Sequence, residues 1–338
     1  MGALDDFRWV DGERLLRFGA GVLQEARALL EERAFEGYAL LTTERAAPSA
    51  PALGASAATV LHVPPGSVAD GAAAVRDRVE GRPVVALGGG RVVDAAKAVA
   101  AADGLACAAI PTTLSGAPVT PIHRMPAGVE GVAPVRPSLV IADPELMASQ
   151  PMPHLAASAM NALAHAVEAL YVPGRGPVTD LVALRAAELI SLALSVEEPH
   201  REGLALGALL GGYAVGVTGL ALHHVICQTL VAVAGSPHAE TNAVMLPHSI
   251  GFVAGRAPGA IGRLAEALGA EERDVSLAQP AAARVAARSG ATRLRELGVE
   301  EAVLAEVVSA AAARPQLTAT PGGVPSREEL AALLSHAL

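Results

Sequence analysis

Three consecutive glycines, Gly88, Gly89 and Gly90, stand between an apolar run and a helical stretch. The segment PVVALGGGRVVDAAKAVAAA predicts a strand, a tight turn and a helix in that order. Glycines let the backbone approach a ligand closely, and the N–H groups and dipole at the start of the helix favour an anion. Because GGG is not the GxGxxG pattern, the turn alone predicts either a pyrophosphate site or a plain strand-to-helix connection.

A second polar loop follows the next apolar run, ACAAI. Thr112, Thr113 and Ser115 carry hydroxyls there that can bond phosphate and ribose oxygens. Ligands of open α/β sheets bind at the carboxyl ends of the strands, so the two loops together favour a dinucleotide site. Glu44, just after the run YALLTT, can bond a ribose hydroxyl and would then favour NAD over NADP; the alternative is a solvated loop carboxylate.

The histidines of the second half form another candidate site. Asn161 and His165 are four residues apart in AASAMNALAHAVEAL and share one helix face. His223 and His224 stand at the end of a long apolar helical stretch, and His238 follows in SPHAE. A lone histidine in an apolar helix is usually a packed core residue, whereas several indicate a shared polar pocket. The spacing leaves open whether they bind a divalent ion, bind a carboxylate when protonated, or relay protons.

The first half of the chain must position the glycine turn. Apolar runs without polar alternation are separated there by helical stretches, which indicates a parallel sheet covered on both faces. Phe7–Phe18 is predicted as an antiparallel hairpin at the edge, and Pro48–Ala58 as a loop or short helix. The predicted strands are Tyr38–Thr43, Thr59–Val63, Pro83–Leu87, Ala106–Ile110 and Leu139–Ala142, with helices over Val22–Glu32 and Val92–Ala102.

The second half carries helical periodicity alone, from about Pro153 onward. The boundary near Met147–Pro153 predicts two domains: residues 1–150, an α/β dinucleotide-binding domain, and residues 151–338, an all-helical substrate domain. The predicted helices are Leu155–Leu170, Val178–Leu194, Leu204–Leu222, Ile261–Leu268, Gln279–Ser289 and Glu328–His336.

Composition excludes several classes of protein. Hydrophobic residues make up 52% of the 338 residues and aromatic residues 2%, so the core must be built from Ala, Leu and Val. The net charge of −9 and the absence of a Lys/Arg run argue against nucleic acid and anionic membrane as partners.

The acidic start is no signal peptide, and Leu204–Leu222, with five glycines, fits a buried helix better than a membrane span. Cys107 and Cys227 are expected to be reduced and buried, and the compartment to be cytoplasmic.

Four blocks of the sequence resemble the iron-containing alcohol dehydrogenase family. GGGRVVDAAK resembles its GGGSxxDxxK turn, IPTTLSGAPVTPI its PTT loop, MNALAHAVEAL its DALxHAxEA helix, and LHHVICQTLVAVAGSPHAETNAVMLPH its HxxxHxLG…PH segment. They occur in the family's order from about Gly81 to His248, and NALAHAVEALY, LHHxxC and PHAET are most similar to the maleylacetate reductase branch. The resemblance implies an α/β N-terminal domain with a parallel Rossmann-like sheet and an all-α C-terminal domain, the fold shared with dehydroquinate synthase.

The resemblance also implies site residues. Lys97 would lie on the helix after the turn and face the cleft between the domains. The implied nucleotide-site residues are Gly89, Gly90, Arg91, Asp94, Thr112, Thr113 and Ser115. The implied metal-ligand positions are Asn161, His165, His224 and His238. Because Asn161 replaces an aspartate and its amide carries no charge, and because maleylacetate reductases are generally treated as metal-independent, a required Fe or Zn ion is disfavoured. The family further implies a homodimer.

Three departures from the family pattern affect the chemistry. Arg91 replaces the serine of the glycine turn and puts a cation beside the phosphates, which it can clamp or obstruct. Gln228 replaces a histidine four residues after His224, and glutamine cannot relay protons. The segment MPAGVEGVAPVR, from Met125 to Arg136, lacks the lysine that the family places near the cofactor.

Several functions therefore compete. The first is an NAD(P)H-dependent reductase of a small carbonyl compound or unsaturated oxo-acid, with hydride transfer in the cleft between the domains and His165, His224 and His238 binding substrate and stabilising negative charge. His223 is a reserve proton donor. The alternatives are a metal-dependent alcohol dehydrogenase, a dehydroquinate synthase-type cyclase or lyase, and a nucleotide-binding relative without catalysis. NAD is the expected cofactor, with NADP as the alternative, and the expected partner is a small molecule.

Overall fold

The computed structural model describes residues 6–338. The chain divides into two compact units, one that ends at Ser149 and one that runs from Gln150 to Leu338. We call them the α/β unit and the helical unit.

The α/β unit is built on one sheet of seven strands in the order β1-β2-β7-β6-β5-β3-β4. Strands β1 and β2 form the antiparallel edge hairpin predicted over Phe7–Phe18, and every other pairing is parallel. The predicted strands are confirmed with ends that differ by at most one residue. The strands are β1 Phe7–Asp11, β2 Arg14–Phe18, β3 Ala39–Thr42, β4 Thr59–His62, β5 Val84–Gly88, β6 Cys107–Pro111 and β7 Leu139–Ala142.

Helices cover both faces of this sheet. They are α1 Ala26–Glu32, α2 Pro51–Ser56, α3 Val68–Arg76, α4 Gly90–Asp103 and α5 Pro144–Met147. Side chains of β5 alternate between two cores: Val84 and Ala86 pack with α3 and α4, whereas Val85 and Leu87 pack with α1 and α2. Since both faces of β5 are buried, its sequence shows no polar alternation.

The helical unit contains nine α-helices among the described residues. They are α6 Met152–Ala169, α7 Pro177–Leu194, α8 Arg201–Thr218, α9 Leu222–Ala234, α10 His238–Ala254, α11 Pro258–Ala267, α12 Val275–Ala286, α13 Leu304–Ala312 and α14 Arg327–Ala337. Small residues allow them to pack closely, as their abundance predicts. A Cβ on Gly211 of α8 would lie 2.7 Å from the carbonyl oxygen of Ala162 on α6.

The single helix predicted over Leu204–Leu222 is wrong. Helix α8 ends at Thr218, and Gly219 adopts a φ of +89°, which a side chain would strain. Helix α9 starts at Leu222 after a bend of 101°. Two of the candidate histidines, His223 and His224, therefore lie in the first turn of α9 and do not end α8. Within residues 6–338 no single helix is long and apolar enough to cross a membrane, and the bent α8–α9 pair meets that test only by its length and composition.

Candidate functional site

The glycine turn, Gly88 to Gly90, and the loop that carries Thr112, Thr113 and Ser115, here called the hydroxyl loop, meet at the carboxyl ends of two neighbouring strands, β5 and β6. Gly89 caps α4 and Gly90 is its first residue. A Cβ on Gly90 would lie 2.5 Å from Oγ of Ser115, and a Cβ on Gly89 would lie 3.1 Å from Cγ2 of Thr113. The loops can approach this closely only because both positions lack a side chain.

The start of α4 is open to an anion. No side chain caps the helix at Gly89, and its first turn contains no acidic residue. Arg91, in that turn, is exposed, Thr112 is partly exposed, and Glu44 is exposed just beyond the end of the neighbouring strand β3. The geometry therefore offers helix N–H groups, hydroxyls and one cation on the same sheet edge, which suits a phosphate-containing ligand.

Lys97, the only lysine in the sequence, is fully buried on α4. Its Nζ lies 2.7 Å from Oδ1 of Asp94. It also donates to the carbonyl oxygens of Ala117 and Ile122, both at 2.9 Å, and of Thr120 at 3.1 Å. An ammonium has three N–H donors, so these partners occupy all of them. Lys97 was expected to face the ligand, but it instead ties the loop that follows the hydroxyls to α4, and burial raises the pKa of its partner Asp94.

Helices α6 and α9 bring three of the candidate polar residues of the helical unit together. The rings of His165 and His224 are nearly parallel, with their centroids 4.7 Å apart and an interplanar angle of 8°. Oδ1 of Asn161, Nδ1 of His165 and Nε2 of His224 are buried and have no hydrogen-bond partner within residues 6–338. Buried polar atoms are normally satisfied, so unpartnered atoms on three neighbouring residues indicate a place for a polar ligand.

Glu168 orients this group, although the sequence analysis missed it. The carboxylate is fully buried, and its Oε2 accepts from Nδ1 of His224 at 2.7 Å and from the Ala221 N–H at 3.1 Å. Its Oε1 accepts from the hydroxyl of Tyr171 and the N–H of His224, both at 3.3 Å. A carboxylate only accepts, so Nδ1 of His224 carries the proton and Nε2 is left as an acceptor. The sequence does carry a signal for Glu168, because an acidic residue stands three residues after His165 in a mostly apolar helix.

His223 and His238 lie next to this group, and the ring centroid of His223 is 5.1 Å from that of His224 at an interplanar angle of 82°. His223 is fully buried, with Nε2 2.9 Å from Oδ1 of Asn242 and Nδ1 3.0 Å from Oγ of Ser249. Both ring nitrogens of His223 are thus occupied by hydrogen bonds to protein side chains, which leaves neither free to donate a proton to a substrate. His238 starts α10 and is exposed, yet it lies close enough to lower the pKa of His165 and of His224 through charge repulsion.

Burial keeps the imidazoles neutral. It lowers the pKa of His223 and of His224 to about 3 and that of His165 well below the usual value for histidine. The expectation that protonated histidines bind a carboxylate therefore loses its physical basis. These rings can accept or donate hydrogen bonds at neutral pH, and a positive charge for an anionic substrate must come from another residue.

The residues at the family's metal-ligand positions carry few charges. Asn161, His165 and His224 present neutral donors only, and the nearby carboxylate of Glu168 is occupied by four donors. Among residues 6–338 no three His, Cys, Asp or Glu side chains are grouped so that they could hold a metal ion. Imidazole nitrogens and an amide oxygen can bind a divalent ion, so these three unpartnered atoms are compatible with one, although no carboxylate adds its charge there.

Two family models match the chain. Residues 17–151 match the model described as "Iron-containing alcohol dehydrogenase", and residues 155–338 match "Fe-containing alcohol dehydrogenase family, C-terminal". Both descriptions name iron, so they give no support to the expectation that a metal is disfavoured.

Curated relatives and solved structures point to the same group. The chain is 33% identical to maleylacetate reductase of Sphingobium indicum over 95% of its own length and 94% of that enzyme. It is 42% identical to maleylacetate reductase 1 of Rhodococcus opacus, where the match spans 55% of either protein, about half their length. The structure resembles maleylacetate reductase from Rhizobium sp. strain MTP-10005 (TM-score 0.85, 30% identity, 99% of each chain). It also resembles sulfoacetaldehyde reductase from Bifidobacterium kashiwanohense in complex with NAD+ (TM-score 0.81, 25% identity, 99% of each chain).

Proposed function

Because the chain belongs to the iron-containing alcohol dehydrogenase family, we propose that it is an NAD(P)H-dependent reductase of a small unsaturated oxo-acid, similar to maleylacetate reductases. The observation that carries the proposal is the group of unpartnered buried atoms on Asn161, His165 and His224. These atoms mark a buried polar place in the helical unit that a small polar ligand can occupy.

The α/β unit is proposed to bind the cofactor. The free N–H groups at the start of α4 would hold the pyrophosphate, with Ser115 and Thr113 beside it and Arg91 as a clamp. Glu44, exposed at the end of β3, would bond a ribose hydroxyl and favour NAD over NADP. When bound, the reduced nicotinamide supplies the hydride.

The helical unit is proposed to bind and polarise the substrate. The Asn161 amide and a ring N–H of His165 can donate hydrogen bonds to the oxygen on which negative charge develops. Glu168 fixes the tautomer and the plane of the His224 ring that stacks on His165. As one substrate carbon gains the hydride, a proton from solvent balances the charge at the neighbouring atom, and NAD(P)+ is the second product.

We propose that this reaction needs no resident metal. The neutral donor set and the replacement of a carboxylate by Asn161 support this view, whereas the family descriptions name iron. Metal analysis of the purified protein, together with activity before and after chelation, tests it. One zinc or iron ion per chain, with activity lost on chelation and restored by that ion, would refute a metal-free reaction.

A homodimer in the cytoplasm is proposed as the working form. The edge strand β1 supports a pairing surface, because Trp9 and Val10 are 39% and 56% exposed there. Size-exclusion chromatography with light scattering would measure the mass in solution. A monomer at micromolar concentration would exclude the dimer.

The reductase proposal is tested by steady-state assays with NADH and NADPH against a panel of oxo-acids, alongside titration of cofactor binding. We expect turnover with an unsaturated oxo-dicarboxylate and tighter binding of NADH than of NADPH. Tight cofactor binding without turnover of any panel member would instead favour a nucleotide-binding protein without catalysis.

A further inference from the structure

Arg314 contacts the same face of α9 that carries His224. It precedes the short 3₁₀ helix Pro315–Ala319, and its Nη2 donates to Oε1 of Gln228 at 2.9 Å. Gln228 lies four residues after His224, one turn further along α9, so the two side chains share a face of that helix. The guanidinium is thus held one turn along α9 from His224, within the helical unit.

The charge of this guanidinium is not neutralised within the part of the chain that the structure describes. Both of its side-chain partners, Gln228 and Gln316, are neutral amides, the second at 3.4 Å. Arg263, another partly buried arginine of the helical unit, lies 2.9 Å from Oδ2 of Asp180, whereas the partly buried Arg288 donates to the carbonyl oxygens of Leu194, Val196 and Glu197. Arg314 is partly buried with only neutral amide partners among the described residues, so its charge is available to an anionic ligand.

We propose that Arg314 determines substrate specificity by binding the carboxylate of the oxo-acid that lies away from the reacting carbons, with Gln228 as its positioning residue. This inference rests on the proposed reductase function and names the part of the substrate that the site selects. A planar guanidinium bonds a carboxylate through two parallel N–H donors, and Nη1 of Arg314 has no protein partner among the described residues.

The glutamine at position 228 suits this role. Its amide oxygen accepts from Nη2 and so fixes the plane of the guanidinium without cancelling its charge. A glutamate of the same shape would hold the guanidinium equally well but would neutralise it. Gln228→Glu therefore separates the orientation of Arg314 from its charge.

The test uses two substrates that differ only at the distal end: an unsaturated oxo-dicarboxylate and its analogue with a terminal carboxamide. In Arg314→Ala we expect kcat/KM for the diacid to fall roughly 10- to 100-fold, mostly through KM, because one charge-assisted pair is lost. The carboxamide, which lacks the charge, should be affected much less. Gln228→Glu should reproduce this selectivity, and Arg284→Ala, an exposed arginine of α12, is the matched control with unchanged kinetics.

Equal losses on both substrates, or no loss on either, would overturn the assignment of Arg314. A binding measurement separates this result from failure of the proposed function. Calorimetry with glutarate, a non-reactive dicarboxylate, in the presence of NADH should show binding to the wild type and to Arg284→Ala, but weak or no binding to Arg314→Ala and Gln228→Glu. If glutarate binds in this pattern and no oxo-acid is reduced, the reductase function fails and the carboxylate site stands. If the diacid is reduced equally by wild type and Arg314→Ala, the reductase function stands and the carboxylate site at Arg314 fails.

Discussion

Oε2 of Glu168 and Nδ1 of His224 are 2.7 Å apart in a buried hydrogen bond. The bond fixes both the tautomer and the plane of the imidazole, whose Nε2 is left as a buried acceptor. Pairs of this kind orient a histidine for its work, and the carboxylate that does so acts through the ring without touching the substrate.

Replacing Glu168 by glutamine should lower kcat roughly 10- to 100-fold with little change in the Kd of the cofactor. The amide keeps the shape of the side chain, but one of its ends becomes an NH2 group that faces existing donors such as the Ala221 N–H. Steady-state kinetics over pH 5–9 would measure the effect. Glu306→Gln, at an exposed position of α13, is the control, and a kcat and pH profile equal to wild type would contradict the orienting role of Glu168.

Gly90→Ala should weaken binding of NADH by roughly tenfold or more. The added Cβ would lie 2.5 Å from Oγ and 3.0 Å from Cβ of Ser115, so the Ser115 side chain must shift away from the start of α4. Overpacking of this kind costs about 1–3 kcal/mol. Fluorescence titration of NADH measures the Kd. Gly54→Ala in α2, where the nearest atom to the new Cβ is 4.0 Å away, should bind like wild type. Unchanged binding by Gly90→Ala would place the cofactor elsewhere.

Lys97→Met should lower the free energy of unfolding by about 3–5 kcal/mol, the range for breaking a buried ion pair. The change leaves the carboxylate of Asp94 without its counter-ion and the carbonyl oxygens of Ala117 and Ile122 without their donor. Urea unfolding monitored by circular dichroism measures the loss. Arg91→Met, which removes an exposed cation from the same helix, should stay within about 0.5 kcal/mol of wild type. A similarly small effect for Lys97→Met would refute the stabilising role of its buried contacts with α4 and the following loop.

The protein should become less stable as pH falls below 6.5. Burial lowers the pKa of His223 from 6.5 in the unfolded chain to about 3 in the folded protein. Between these values the unfolded state binds the extra proton, so the contribution of His223 to stability is complete above pH 6.5 and is lost progressively toward pH 3. The full loss amounts to roughly 4–5 kcal/mol. Urea unfolding at pH 7, 6, 5 and 4 should show a steeper decline for wild type than for His223→Gln, and parallel declines would disprove the shift.

Local patterns predict the elements that fold by local rules. The apolar run before Gly88 and the periodic stretch after it predict β5 and α4, because a doubly covered parallel strand and a packed helix leave clear patterns. The break between α8 and α9 was missed because the apolar pattern continues across it. It depends on one backbone angle at Gly219, a residue that helices also contain.

Tertiary partners limit what the sequence reveals about the site. The family resemblance implied that Lys97 faces the cleft between the domains, but three carbonyl groups from a later loop occupy its donors. The importance of Glu168 depends on α9 folding back so that His224 reaches it from 56 residues away. Arg314 meets Gln228 over 86 residues, a pairing that no local pattern encodes.

Because Lys97 is the only lysine in the sequence and is 0% exposed, amine chemistry has an unusual selectivity on this protein. A succinimidyl ester finds no accessible lysine in folded residues 6–338, so lysine-directed cross-linkers and fluorophores would leave this region unlabelled. Acylation of Lys97 requires the segment from Ala117 to Ile122 to detach from α4. The rate of that acylation, followed by mass spectrometry, would therefore report the rate of local unfolding next to the hydroxyl loop.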